Sequence, residues 1–185
     1  MLGTVRDADA HGKLCADLVG EHGAFVRRTL AHLGVAARDL PDVEQEVFRG
    51  AARGLSAFDP ALAANPEHAL RGWLFGICER QAASHRRAAA KRGEVLRAPE
   101  DLDGATVETA EDAMLAGERE ALLSALLARL EPRRRAVVVA YELDGLAMVE
   151  VAAAQRIPLN TAWNRLRLGR EDLRAAARKV TNSRH

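Results

Sequence analysis

The sequence contains only two cysteines, Cys15 and Cys78, among its 185 residues. They lie far apart, and neither belongs to a Cys-x-x-Cys pair or stands at ligand spacing from a histidine. Disulfide-stapled folds and structural zinc sites need several cysteines at short, regular spacing. We therefore expect neither a disulfide framework nor a metal site, and this cysteine usage is typical of a reduced compartment.

Long apolar runs are also absent from the chain. No stretch approaches the ~18 consecutive apolar residues of a membrane-spanning helix. The first residues, MLGTVRDAD, contain no apolar segment of signal-peptide length. The expectation is a soluble, cytoplasmic protein without membrane insertion.

No catalytic constellation is recognisable in the sequence. The histidines, among them His22, His32, His68 and His85, are scattered, and no serine or cysteine stands near one in a nucleophile context. No glycine-rich phosphate loop follows a strand pattern either. We expect a protein that is not an enzyme and that uses no cofactor and no small-molecule substrate.

Aromatic residues make up only 4% of the chain, so leucine, valine and alanine must supply the core. Alanine-rich and leucine-rich segments with few β-branched runs favour an all-α fold. Residues 99–120 contain eight acidic groups and one arginine with little apolar periodicity, which is typical of a flexible connector. We predict two small helical domains, residues 14–92 and 118–180, joined by a flexible acidic linker, residues 93–117.

The first domain shows apolar residues at helical spacing up to Leu33, with a helix end near Gly34. We predict Asp39 as the N-cap of a second helix and Asn65, after the proline-broken residues 56–66, as the N-cap of a long basic helix to about Arg92. The second helix has a polar stripe at positions i, i+3, i+4, i+7 and i+11: Asp42, Gln45, Glu46, Arg49 and Arg53. Taken alone, this stripe is an ordinary solvated face whose charge order suits the helix dipole.

Residues 145–173 have the pattern of a helix, a tight turn and a second helix. Pro158 lacks an N–H and disfavours helix at the residue before it, so the first helix, from about Met148, must end there. Asn160 or Thr161 is expected to cap the second helix. The packing stripe of that second helix is formed by Ala162, Leu166, Gly169 and Leu173. Its other side carries Trp163, Asn164, Arg167 and Arg170.

Seven basic residues and two acidic ones lie between positions 156 and 179, which gives this segment a local charge of about +5. Such a face attracts a phosphate backbone, while asparagine and arginine near the start of a recognition helix reach base edges in the major groove. The pattern therefore favours a DNA-reading helix-turn-helix. The alternative is an ordinary amphipathic hairpin with a solvated basic face.

Short motifs follow one another in a fixed order from about Leu14 to Lys179. They are DVEQEVF at 42–48, WLFGI at 73–77, RR at 86–87, LEPRRR at 130–135, GL at 145–146, EVA at 150–152 and IPLNT at 157–161. In this order and spacing the chain resembles the extracytoplasmic-function (group IV) sigma factors of bacterial RNA polymerase, in the sigma-70 family. That family often has glycine where this chain has Arg156.

The resemblance implies that residues 14–92 are sigma region 2 and residues 118–180 are sigma region 4, which together direct core RNA polymerase to promoter DNA. The residues that would bind the clamp helices of the largest polymerase subunit are Asp42, Gln45, Glu46 and Arg49. Those that would contact the minus-10 element are Arg71, Arg80, His85, Arg86, Arg87 and Lys91. The linker would run towards the RNA exit path of the polymerase.

For the minus-35 element, the resemblance implies side chains in the major groove from the start of the last helix. They are Asn160, Thr161, Trp163, Asn164, Arg165 and Arg167, with Arg133, Arg134 and Arg135 on phosphates. An anti-sigma protein that masks the free factor is a further partner that the resemblance suggests. The competing hypothesis is an autonomous helix-turn-helix regulator, which would bind duplex DNA tightly without polymerase.

Overall fold

A computed structural model describes the backbone of residues 3–55, 58, 65–92 and 110–182, and the side chains of residues 16–55, 58, 65–92 and 117–179. Within these segments the regular structure is helical and no strand occurs, so the all-α fold class is confirmed. None of the helices in them is long and apolar enough to cross a bilayer. Most of the loop predicted at 56–66 and of the linker predicted at 93–117 lies outside the described residues.

The first domain contains three helices, α1 (Gly3–His32), α2 (Leu40–Gly54) and α3 (Pro66–Lys91). The end of α1 lies where the sequence predicts it. Gly34 has φ +92°, a left-handed conformation that glycine adopts without a steric penalty. The chain can therefore reverse there and enter the short 3-10 turn Ala37–Asp39 that leads into α2.

The two predicted caps of this domain have different outcomes. Asn65 caps α3 as expected, because its side-chain oxygen accepts a hydrogen bond from the backbone N–H of His68 at 3.1 Å. Asp39 stands at the N-cap position of α2, but its side chain makes no capping hydrogen bond. It pairs instead with His85, at 3.3 Å, and with Arg38, at 3.7 Å. The capping prediction for Asp39 was wrong because a carboxylate placed between two basic groups is satisfied by them.

The second domain contains four helices among its described residues: α4 (Ala110–Leu127), α5 (Pro132–Val138), α6 (Met148–Gln155) and α7 (Leu159–Asn182). A wider, π-helical turn at Val139–Leu143 extends α5. Helix α4 begins at Ala110, eight residues before residue 118, where the sequence predicts that the second domain begins. Alanine, methionine and leucine at 113–116 are strong helix formers, which explains the earlier start.

The turn between α6 and α7 is the helix-turn-helix turn that the sequence predicts. Arg156 closes α6 in the left-handed conformation, with φ +54°, at the position where glycine is frequent in the family it resembles. Helix α7 begins at Leu159, so neither Asn160 nor Thr161 is its cap, and that prediction was wrong. The carbonyl of Pro158 accepts hydrogen bonds from the N–H groups of Thr161 and Ala162, which places Pro158 at the boundary.

The core is continuous between the two domains. Leu30, Val47 and Phe75 are fully buried in the first domain, and Val137 and Leu166 in the second, all in one hydrophobic cluster. Helix α3 packs on both α2 and α6, while α1 reaches α4 and the π-helical turn. In the packing stripe of α7, Ala162, Leu166 and Gly169 are buried and Leu173 is half-buried, and the helix lies against α5 as well as α6.

Gly169 of α7 lies close to the side chain of Val138, and we expect an alanine there to be destabilising. A Cβ at this position would lie 2.6 Å from Cγ2 of Val138. Gly169→Ala should lower the free energy of unfolding by about 1–3 kcal/mol through overpacking. The matched control is Gly20→Ala in α1, where a Cβ meets nothing within 4 Å. That change should raise stability by about 0.5–1 kcal/mol. Urea unfolding followed by circular dichroism measures both, and equal shifts of one sign would contradict the packing described.

Candidate nucleic-acid interface

The exposed face of α7 carries the side chains that the sequence assigns to DNA reading. Trp163, Asn164 and Arg167 all lie exposed on this helix. Arg167 donates to the side-chain oxygen of Asn164 at 3.1 Å and pairs with Glu171 at 2.7 Å. These are solvent-exposed pairs, which contribute little to stability and exchange readily for a phosphate or a base edge. The face is therefore available for a nucleic acid.

One side of the Trp163 ring packs against the protein, and the other side is exposed to solvent. Its side chain is 45% exposed and meets the ring of Tyr141 edge-to-face, with centroids 5.5 Å apart. Tyr141 in turn lies 5.9 Å from the guanidinium of Arg170, which pairs with Glu142 at 2.6 Å. Because the indole is braced but open on one side, it can pack on an apolar group of a partner.

The other candidates near the start of α7 differ in exposure. Asn160 is exposed, whereas Thr161 and Arg165 are half-buried. Arg165 donates to the side-chain oxygen of Gln155 at 3.0 Å, which ties α7 to the end of α6. Arg165 therefore helps to hold α7 against α6, and Asn160 is the only one of these three side chains that is exposed.

Three consecutive arginines at the start of α5 have three different environments. Arg133 is exposed, and Arg134 is hydrogen-bonded to Asp172 of α7 at 2.8 Å, which raises the pKa of Arg134. Arg135 is 8% exposed and its guanidinium faces the carbonyl of Leu33 at 3.4 Å. Burial, with the neighbouring Arg86, lowers the pKa of Arg135 to about 10. The guanidinium of Arg135 is thus inside the protein, and its phosphate contact stays a prediction.

The polar stripe of α2 lies on the surface, as its spacing predicts. Asp42, Gln45, Arg49 and Arg53 are exposed and Glu46 is half-buried. Arg49 donates to the side-chain oxygen of Gln45 at 2.7 Å and also pairs with Glu46. The stripe thus presents a row of carboxylate, amide and guanidinium groups held in register along one helix face.

The basic residues of α3 fall into two groups. Arg80, Arg87 and Lys91 are exposed. The remaining three candidates are engaged within the protein. Arg71 donates to the carbonyl of Asp144 at 3.0 Å and lies over the ring of Phe25, Arg86 donates to the carbonyl of Leu33 at 2.9 Å, and His85 faces Asp39. All six candidate minus-10 residues thus lie on α3, but only three of them are exposed.

Sequence reasoning missed a buried polar group between the domains. Asp144 is 3% exposed and accepts a hydrogen bond from the hydroxyl of Thr29 at 2.9 Å. Burial raises the pKa of Asp144, against the opposing effects of Thr29 and Arg28. His32, also buried, lies 3.0 Å from Glu120. These partners are about a hundred residues apart in sequence, so no local pattern could have indicated them.

Cys78 is fully buried, and burial raises the pKa of its thiol. We expect it to resist alkylation by iodoacetamide in the folded protein and to react fully in guanidinium chloride, because the thiolate is the reactive form. Mass spectrometry of a Cys15→Ser variant measures this directly. Rapid modification in native buffer would contradict the burial described.

No group of three or more histidine, cysteine, aspartate or glutamate side chains suited to a metal occurs within the described residues.

Comparison with known proteins bears on both domains. A family model described as "Sigma-70, region 4" matches residues 120–173. The ECF RNA polymerase sigma factor SigE of Mycolicibacterium smegmatis is 30% identical over 161 residues, which cover 85% of this chain and 59% of that protein. The ECF RNA polymerase sigma-E factor of Haemophilus influenzae is 29% identical over 145 residues, which cover 74% of each. The chain thus spans about three-fifths of the length of the first relative and about three-quarters of the second.

Two solved structures have the same fold. CnrH, solved in complex with the cytosolic domain of CnrY, superposes with a TM-score of 0.65 at 23% identity, covering 93% of this chain and 94% of that one. RpoE from Bartonella quintana, solved in complex with the anti-sigma factor NepR, gives a TM-score of 0.67 at 16% identity, covering 90% and 97%. The likeness extends over both domains.

Proposed function

The chain belongs to the extracytoplasmic-function sigma factors of the sigma-70 family, and we propose that it directs core RNA polymerase to specific promoters and initiates transcription there. In this proposal it acts in the cytoplasm as a non-enzymatic factor. Residues 14–92 serve as region 2 and residues 118–180 as region 4. The observation that carries the proposal is the exposed, basic face of α7 on a helix-turn-helix that matches the region 4 family model.

Helix α7 reads the minus-35 element by placing its first three turns in the major groove. Asn164 and Arg167 are the base-reading pair, since asparagine suits adenine and arginine suits guanine. Trp163 packs on an apolar group such as a thymine methyl. Asn160 also enters the major groove, and Arg133 contacts phosphates. The half-buried candidates, Thr161, Arg134 and Arg165, act by positioning the helix or by phosphate contact at its edge.

Helix α3 provides the contacts to the minus-10 element. Arg80, Arg87 and Lys91 are exposed and suit the backbone of a single strand, which basic side chains follow independently of sequence. Arg71, His85 and Arg86 join them when their internal partners are released. A base turned out of the opening duplex loses a few kcal/mol of stacking, which these contacts must offset.

The stripe of α2 binds core polymerase through Asp42, Gln45, Glu46 and Arg49. An exposed row of carboxylate, amide and guanidinium groups makes charge-assisted hydrogen bonds to a complementary helix, and such pairs set the orientation of docking. The partner surface therefore offers basic side chains opposite Asp42 and Glu46 and a carboxylate opposite Arg49.

An anti-sigma protein completes the proposed set of partners. The two solved structures with the same fold each contain a second protein, which is named as an anti-sigma factor in the Bartonella quintana complex. We expect the tagged protein to retain one additional protein besides polymerase from native lysate. Recovery of polymerase alone would count against this partner.

Dependence on polymerase distinguishes the proposed function from that of an autonomous regulator. A library of genomic duplex fragments is incubated with the protein, with and without core polymerase, and bound fragments are sequenced. We expect specific fragments to be retained only when polymerase is present. Retention of the same fragments by the protein alone would instead support an autonomous regulator.

A further inference from the structure

Trp163 is the exposed aromatic side chain of the protein. The chain contains four phenylalanines, two tryptophans and one tyrosine, all of them within the described residues, and the others are buried or half-buried. Leu159, one turn earlier on α7, is 43% exposed, and Trp163 is 45% exposed. They form an apolar patch at the start of a helix face that is otherwise polar and basic. Such a patch fits a partner that offers an apolar group beside polar and anionic ones.

The ring of Trp163 is held from one side by residues of the π-helical turn at Val139–Leu143. Tyr141 of this turn contacts the indole edge-to-face, with centroids 5.5 Å apart. Glu142 pairs with Arg170 of α7 at 2.6 Å, and the guanidinium of Arg170 lies 5.9 Å from the centroid of the Tyr141 ring. Turns of this kind are rare and often occur at functional sites. This one brings a tyrosine and a glutamate to α7, so the indole is constrained on the side of the turn.

Trp163 lies at one edge of the base-reading face of α7. Around the helix axis it points about 40° away from Arg167 and about 100° away from Asn164, since each turn contains about 3.6 residues. Side chains this close together on a recognition helix reach neighbouring bases of the same groove. The bases read by Asn164 and Arg167 therefore set the register in which Trp163 meets its own base, and its contribution depends on both of them.

The apolar group that a base edge offers in the major groove is the C5-methyl group of thymine. Elsewhere the base edges present hydrogen-bond donors and acceptors, and the carbon surface of an indole would displace their water without replacing its hydrogen bonds. A methyl group on C5 of cytosine occupies the same position as that of thymine. An indole fixed in the groove therefore favours a C5-methylated pyrimidine over the same base without the methyl group.

We propose that Trp163 selects a C5-methylated pyrimidine, which is thymine in unmodified DNA, at one position of the minus-35 element, and that Tyr141 is the positioning residue for this selection. Tyr141 does not touch the DNA. Its ring keeps the indole directed into the groove, and Arg170, held by Glu142, packs against that ring. This inference rests on the proposed function, because it requires α7 to lie in the major groove.

Pairs of duplexes that differ by one methyl group test the selection. Once transcript mapping has located the minus-35 element, each thymine in it is replaced in turn by uracil, and cytosine or 5-methylcytosine is placed at the same positions. The members of a pair compete for the complex of the protein with core polymerase. Because both compete for one sample, the affinity ratio does not depend on the fraction of protein that is active. A thymine between the two promoter elements is the control position.

We expect the wild type to bind thymine about 4-fold more tightly than uracil at one position of the element, which corresponds to burial of one methyl group at about 0.8 kcal/mol. At that position 5-methylcytosine should be preferred to cytosine by a similar factor. The control position should show no preference. Trp163→Ala should remove both preferences, because the apolar surface that contacts the methyl group is lost.

Two variants of Tyr141 separate positioning from a structural role. Tyr141→Phe keeps the ring that contacts the indole and should retain the methyl preference. Tyr141→Leu keeps an apolar side chain but removes the ring, and its methyl preference should lie closer to that of Trp163→Ala than to that of the wild type. A role confined to the stability of the domain would weaken binding to both members of each pair equally and leave the ratio unchanged.

Equal binding of thymine and uracil by the wild type at every position of the element would overturn the proposal, as would a methyl preference that survives Trp163→Ala. The same methyl preference in Tyr141→Leu and Tyr141→Phe would show that Tyr141 does not position the indole. If the protein with core polymerase gives neither transcripts nor specific promoter binding, the proposed function fails and this inference with it.

Discussion

Replacing Gln45 and Glu46 together by alanine is expected to lower the affinity for core RNA polymerase by about 100-fold, which corresponds to about 3 kcal/mol. Both side chains lie on the surface stripe of α2, where they also hold Arg49. The change removes two acceptors and frees Arg49 to move, so a complementary surface loses several charge-assisted hydrogen bonds at once. Titration of labelled protein with core polymerase measures the dissociation constant.

The fold should tolerate this change, because exposed pairs three or four residues apart on a helix contribute only about 0.5 kcal/mol. The control is Asp17→Ala with Glu21→Ala, which removes two exposed carboxylates from α1. We expect the control to bind polymerase like the wild type. Equal losses in both variants would mean that general charge, and not the stripe, governs the affinity.

Replacing Asn164 and Arg167 together by alanine should abolish promoter preference. Each good base contact in the major groove contributes about 1–3 kcal/mol of discrimination. Loss of both should reduce the affinity for the preferred promoter by about 100-fold, with much less change for unrelated DNA. Competition binding of the polymerase complex to specific and scrambled fragments measures the ratio.

Arg174→Ala is the charge-matched control for this variant, since it also removes one exposed arginine from α7 but lies two turns further along the helix. It should weaken binding to both kinds of fragment alike and lower the salt dependence by about one ion. Sequence preference that survives the loss of Asn164 and Arg167 would show that other residues read the bases.

The helices and the turn of the second domain could be predicted from sequence because their signals are local. The packing stripe of α7 follows helical periodicity, and Pro158 identifies the turn. Predictions that depended on a single side chain were less secure. Asp39 was expected to cap α2, but its carboxylate pairs with His85 of another helix.

The contact between the domains could not be predicted, because its partners are remote in sequence and unremarkable in composition. Thr29 and Asp144 are separated by 115 positions. Arg135 belongs to a run of three arginines, and their sequence alone suggests that all three are exposed. Arg135 is nevertheless buried, because it lies on the side of α5 that faces the core. A charged run on a short helix presents different residues to the core and to solvent, which composition alone does not reveal.

Run-off transcription with purified core polymerase, on a library of promoter fragments from the source genome, tests the central claim most directly. The reactions are run with and without this protein, and transcript start sites are sequenced. We expect transcripts that start at defined sites only when the protein is present and that share elements near minus 10 and minus 35. Identical transcripts with and without the protein, or none in either case despite active polymerase, would contradict its assignment as a promoter-selecting initiation factor.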